Sequence, residues 1–181
     1  MLTHSFLARV FNGDLSPLNL ANHLRFKITD KQRELLQVFE QRDLHTIEVV
    51  DNAGGELSRA AAFAAAWRVL CDPTTNAVIV CATEELRQHL LGSIREALLQ
   101  SSMAHVVRQP VRNRLTFGPD DMGGVIFARS LPQIVLEQLN DDTATVVIVG
   151  SCYTEDLAFS ECCIAAEQKV RENNGLLVRI W

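Results

Sequence analysis

No stretch of this chain reaches the roughly 18 consecutive apolar residues of a membrane-crossing helix. The N-terminus, MLTHSFLARVF, lacks the charged start, long apolar middle and small-residue cleavage site of a secretory signal. A cytoplasmic protein without a membrane partner is expected. No CxxC pair occurs, and the cysteines number five: Cys71, Cys81, Cys152, Cys162 and Cys163. An odd count without paired spacing argues against a disulfide framework and for buried, reduced thiols. Cys162 and Cys163 are adjacent on a helix and should point in different directions, which disfavours a metal site. The histidines (His4, His23, His45, His89, His105) are scattered, with no HExxH spacing. No GxSxG frame surrounds Cys152. There is no block of like charge. Net charge is −5 and the pI about 5.5, which disfavours a dedicated nucleic-acid arm or polybasic patch. Internal repeats and low-complexity tracts are absent too.

What is present is a chain of 181 residues, 48% hydrophobic and 22% charged. That is ordinary globular composition, long enough for one compact domain with a real core. Residues 1–24 read as a lead-in, with Phe6, Leu7, Val10 and Phe11 at helical spacing. Residues 25–181 read as the domain. The chain is organised around Thr46 to Trp67, TIEVVDNAGGELSRAAAFAAAW. A β-rich run, Thr46 to Val50, enters a polar glycine turn, Asp51 to Glu56, and an alanine-rich helix follows from about Leu57 to Leu70. Strand, glycine loop, helix is the frame of a phosphate-binding loop.

Around that stretch the elements alternate. Thr29 caps a helix, with Gln32 in capping-box position and Leu35, Leu36 and Phe39 as its buried stripe. Ala77 to Ala82 is an unbroken apolar run suited to a strand covered on both faces. Thr83 caps a helix that reaches about Gln100. Three short strands are expected at Ala104–Val107, Arg114–Phe117 and Val125–Ala128, then a short helix at Leu131–Leu139. Ala144–Val149 is a strand, Asp156–Glu172 a helix and Leu176–Ile180 a final strand. Asp141-Asp142 is a turn. Asp120-Asp121 with Glu155-Asp156 are read as solvated loop charges. Alternating strands and helices predict an α/β fold with a mainly parallel sheet flanked by helices. Ligands bind such sheets at the carboxyl ends of the strands. Asp51–Glu56, Thr83, Gly150–Cys152 and Arg179–Trp181 should share that edge.

This order of elements resembles the ATPase domain of the large terminase of tailed bacteriophages, T4-type, with its RecA-like P-loop core and three-layer architecture. The residues that carry the resemblance are ITDKQRELL (Ile28 to Leu36), the glycine loop about twenty residues later, and NAVIVCATEELRQHLLGSIREAL. RNRLTFGPDDMGGVIFARS resembles the family's β-hairpin insertion, and TVVIVGSC its acidic-pair strand. The resemblance implies that Gln32 recognises adenine and that ATP and Mg²⁺ are the cofactors. It also implies a role in DNA packaging among protein partners.

The chemistry-bearing positions depart from that pattern. A working loop reads GxxxxGK[ST]. With Gly55 as its last glycine, Glu56 stands at the lysine and Leu57 at the hydroxyl. A carboxylate roughly 4 Å from a phosphate charge is repelled by about 4 kcal/mol at an effective dielectric near 20. The helix dipole returns only about 1 kcal/mol. The acidic pair is replaced by Gly150 and Ser151, and the arginine finger falls near Asn52. The expectation is a non-catalytic, terminase-like module with no cofactor, which acts by binding. Its degenerate nucleotide-binding residues are Gln32, Asp51, Asn52, Gly54, Gly55, Ser58 and Arg59. The alternatives are a weak ATPase, with Ser58, Arg59 and Asp51 in substitute roles, or a DNA-binding module. The latter would use Arg108, Arg112, Arg114 and Arg129.

Overall fold

The structure is a computed structural model. It describes residues 16–41, 45–51, 55–72, 74–101, 104, 107–111, 114–117, 125–129, 139, 141–150 and 157–181. The expected helix at 131–139 lies outside them except for Leu139, as does the helical spacing of residues 6–11.

Pro17–His23 forms α1, with Ser16 as its cap; the Ser16 hydroxyl accepts from the Asn19 N–H at 3.2 Å. Asp30–Phe39 forms α2. Its capping box is complete: the Gln32 N–H donates to Thr29 Oγ1, and the Thr29 N–H donates to Gln32 Oε1. Strand β1 (Thr46–Val49) leads to α3 (Glu56–Cys71), then β2 (Asn76–Cys81) and α4 (Glu84–Leu99). Thr83 caps α4 by accepting from the Leu86 N–H. Strands β3 (Val107–Val111), β4 (Arg114–Phe117) and β5 (Val125–Arg129) follow, then β6 (Thr143–Val149), α5 (Leu157–Glu172) and β7 (Leu176–Ile180).

These strands make one sheet of seven, in the order β1-β7-β6-β2-β5-β4-β3. β1, β7, β6, β2 and β5 run parallel. β4 and β3 add an antiparallel edge, so the β-rich segment continues the main sheet. The third strand begins at Val107, where Ala104–Val107 was expected. β3 runs on to Val111 through Pro110, which is tolerated there because β3 is the outer strand of the sheet among the described residues.

The sheet divides two cores. On one face Ile47, Ile79, Val147 and Val178 pack against α1 to α4. On the other, Val78, Val80, Val146, Ile148 and Leu177 pack against α5. Alternate residues of each central strand serve opposite faces, so the strands read as continuous apolar runs. α3 is buried almost all round, including Ala60 to Ala66. Alanine contributes no side-chain entropy loss and lets the neighbouring backbones come close. The larger payload is aromatic: the rings of Phe63 and Phe26 stack at 4.9 Å. Cys162 and Cys163 both lie buried in the α5 core, so the two thiols do not diverge to opposite sides. A helical step of about 100° keeps both within the sheet-facing half.

Candidate functional site

The parallel strands end together, at Val49, Cys81, Val149 and Ile180. Backbone hydrogen bonds then stitch the departing chains. The Asp51 N–H donates to Trp181 O, Trp181 N–H to Val49 O, Gly150 N–H to Ile180 O and Ala82 N–H to Val149 O, all at 2.9–3.0 Å. This is the carboxyl edge, where α/β sheets bind ligands.

The N-terminus of α3 opens onto this edge. Its cap position is Gly55, in the left-handed region (φ +96°), with no side chain to satisfy the first-turn N–H groups. Asp51 satisfies them from outside the helix. Its Oδ2 accepts from the Leu57 N–H at 3.1 Å, the Ser58 N–H at 3.2 Å and the Ser58 hydroxyl at 3.2 Å. A carboxylate against a helix N-terminus gains from charge-assisted bonds and from the dipole, about 1 kcal/mol each. Ser58 is buried in this arrangement. Gln32 is buried as well, and its Nε2 donates to Glu56 O at 2.7 Å. Gln32 therefore closes the capping box of α2 and ties α2 to the first residue of α3. Arg59 lies with its guanidinium 4.9 Å from the centre of the Phe26 ring, a cation–π contact. Its Nε is buried with no hydrogen-bond partner among the described residues. Asn52 and Gly54 lie outside the described residues.

Gly150, at the end of β6, has φ +122°. A Cβ there would sit 2.6 Å from the Cβ of Ala82. No side chain fits at this position without displacing Ala82, which follows β2.

Sequence reasoning missed two charged clusters near this edge. Arg87 of α4 is almost fully buried and makes a two-pronged ion pair with Glu84, with Nε 2.7 Å from Oε2. The hydrogen bonds to Glu84 hold the Arg87 guanidinium above its usual pKa. Burial pushes the neighbouring Cys81 thiol up to about 12, a shift that Arg87 only partly opposes. On β7, Arg179 bridges Glu167 of α5 and Glu48 of β1. The i, i+3 spacing of Glu84 and Arg87 was a usable signal; Arg179 and Glu48 are joined only by strand order.

Three of the four arginines proposed for nucleic acid lie among the described residues, on β3, β4 and β5. Arg114 begins β4 opposite Phe127, and Arg129 lies two residues beyond Phe127 on β5, so both sit toward the carboxyl edge. Arg108, paired with Thr116, lies toward the opposite end of β3. Arg112 is outside the described residues. Among the described residues no three of His, Cys, Asp and Glu converge as a metal-ligand set. No described helix is long and apolar enough to cross a membrane.

A mainly parallel sheet between helix layers, with a glycine-capped helix after its first strand, defines an α/β domain that presents a helix N-terminus at its carboxyl edge. Among solved structures the chain is similar to the large terminase ATPase domain of Thermus phage P74-26, at TM-score 0.66 and 15% identity. The match covers 92% of this chain and 69% of that one. A mutant of the same domain matches at TM-score 0.67 and 15% identity, over 92% and 70%. This chain thus has the RecA-like fold of a phage large-terminase ATPase domain. No protein-family model and no curated protein matches its sequence.

Proposed function

We infer that the chain is a non-catalytic, terminase-like domain that works by binding a protein partner in phage DNA packaging. The observation that carries this reading is Asp51. Its carboxylate sits on the N–H groups of Leu57 and Ser58, where a phosphate-binding helix would offer them to its ligand. Phosphate would have to displace an anion already bonded to the helix and then face Glu56, which stands first in α3. Glu56 supplies no positive charge, and Gly150 has no room for a metal-holding carboxylate. The residues present therefore do not fit a Mg²⁺-nucleotide. Gln32, already bonded to Thr29 and Glu56, has its acceptor and one donor engaged within the protein.

The test is nucleotide binding by thermal shift and calorimetry, with ATP and with ADP, in the presence and absence of Mg²⁺. A ligand at about 100 times its Kd stabilises a fold by about 2.7 kcal/mol, well within reach of a melting curve. The expected result is no shift at millimolar nucleotide and no hydrolysis. Mg²⁺-dependent turnover would sink the proposal and assign a weak packaging ATPase. Ser58 and Arg59 would then be the first residues to substitute. Steeply salt-dependent DNA binding, lost on Arg114→Ala, would support the nucleic-acid reading instead.

A further inference from the structure

Helix α1 ends in a complete left-handed cap. The Phe26 N–H donates to Ala21 O at 2.9 Å and the Arg25 N–H to Asn22 O at 3.1 Å. Arg25 holds the turning position, with φ +54°. Glycine is the ordinary residue there, because a Cβ is strained in the left-handed region. A cation gains something from the dipole at a helix C-terminus, but α1 has only 7 residues and His23 already stands in its last turn. Arg25 and Lys27 are both exposed, while Phe26 between them is buried and stacked on Phe63. The Arg59 guanidinium lies 4.9 Å from the centre of the same Phe26 ring. Three cations thus border one aromatic residue beside the first turns of α3. Among the described residues none of the three makes an ion pair. Asp30 pairs with Arg33, and Asp51 is bonded to the start of α3. Glu56, three residues before Arg59, makes no ion pair with it among the described residues.

We propose that Arg25, Lys27 and Arg59 form a docking strip for an acidic segment of a protein partner. The fold itself is better served by glycine at residue 25, so the arginine there acts through what it can reach outside the chain. Arg59 is held by the ring and not by an acid, and its Nε is buried with no hydrogen-bond partner among the described residues. A guanidinium fixed in this way loses little freedom when it pairs, and its fork matches a carboxylate. Nucleic acid fits the strip less well. Duplex binders commonly neutralise about 6–10 phosphates, against three cations here in a chain of net charge −5. Single strands need an open aromatic face for their bases, and the Phe26 ring is closed in by Phe63 and Arg59. The proposal rests on the partner-binding reading above and names the partner's chemistry.

Fluorescence anisotropy of a labelled oligoglutamate peptide, titrated with the full chain at low salt, tests this. Saturable binding is expected, and added salt should weaken it because the contacts are exposed charges. Arg25→Gly should weaken it about fivefold, the loss of one ion pair. The same change should raise the melting temperature by about 2–4 °C, since glycine relieves the left-handed backbone. Lys27→Gln should weaken binding by a similar factor at an unchanged melting temperature. Arg171→Gln removes an equal charge near the end of α5, on another surface, and should alter neither. No saturable binding up to roughly 1 mM chain would overturn the proposal. So would an affinity indifferent to both Arg25→Gly and Lys27→Gln, or a DNA duplex of equal charge bound more tightly than the peptide. A lower melting temperature in Arg25→Gly would show that Arg25 serves the fold, and would overturn it too. Nucleotide turnover would refute the partner-binding reading, whereas the peptide titration alone decides this one.

Discussion

Gly150 concentrates the argument at the scale of single residues. Two independent constraints meet there, a positive φ and a Cβ position only 2.6 Å from Ala82. Gly150→Ala should cost roughly 2–4 kcal/mol, from left-handed strain plus overpacking. Urea denaturation would report this as a lower midpoint at unchanged slope, and wild-type stability in Gly150→Ala would remove the steric argument. Cys81 yields a pH prediction. Its folded-state pKa, about 12, lies above the ordinary thiol value of 9.0 because burial disfavours the thiolate. A raised acid pKa leaves stability intact below the unfolded value and removes it as pH climbs toward the folded one. Stability should therefore fall between about pH 9 and 12. Urea midpoints across that window should decline in the wild type, with a smaller decline in Cys81→Ala. The native thiol should also resist alkylation at neutral pH, because the reactive species is the thiolate.

At the scale of elements, the junction of α2 with α3 is the informative one. Gln32 serves both helices, closing the cap of one and accepting the load of the other through Glu56 O. Gln32→Ala should cost about 2 kcal/mol without any ligand, because it removes two part-buried hydrogen bonds of roughly 1 kcal/mol each; Thr29→Ala should cost about 1 kcal/mol. An adenine-reading Gln32 without structural duties would leave the unliganded melting temperature unchanged. The same junction marks what the sequence can and cannot convey. The Thr29–Gln32 box, the cap at Thr83 and the strand at Leu176–Ile180 are local, and residues three apart or a short apolar run announce them. The carboxyl-edge placement of Asp51, Thr83, Gly150 and Trp181 was legible for a related reason, since strand–helix alternation implies a parallel sheet. The role of Asp51 was not legible. It caps α3 from six and seven residues away across a glycine turn, outside any capping motif. The crowding at Gly150 comes from Ala82, just beyond β2 and far earlier in the chain, and only the folded sheet brings them together. The extent of β3 beyond Val107 was not legible, because its pairing with β4 and its edge place, where Pro110 is tolerated, belong to the assembled sheet.

At the scale of the whole molecule, two things that phosphate chemistry needs come from different parts of the sheet. On the reading proposed above, an anion site would come from the start of α3 and a metal-holding carboxylate from the end of β6, where this chain has Gly150. The cores that hold these ends in place are separate from them: the helix-side cluster and the α5 cluster are apolar and continuous. Asp51→Gly with Glu56→Lys removes the internal anion and puts a cation at the start of α3. The variant loses a cap of about 1 kcal/mol but leaves the N–H groups of Leu57 and Ser58 free for a ligand. It should gain a thermal shift with pyrophosphate that the wild type lacks. It should still fail to hydrolyse ATP, because the end of β6 remains glycine and has no room for a carboxylate. Hydrolysis by this double variant would mean that the end of β6 is not where the chemistry was lost. Absence of any pyrophosphate shift would mean that Asp51 is not what keeps the helix closed.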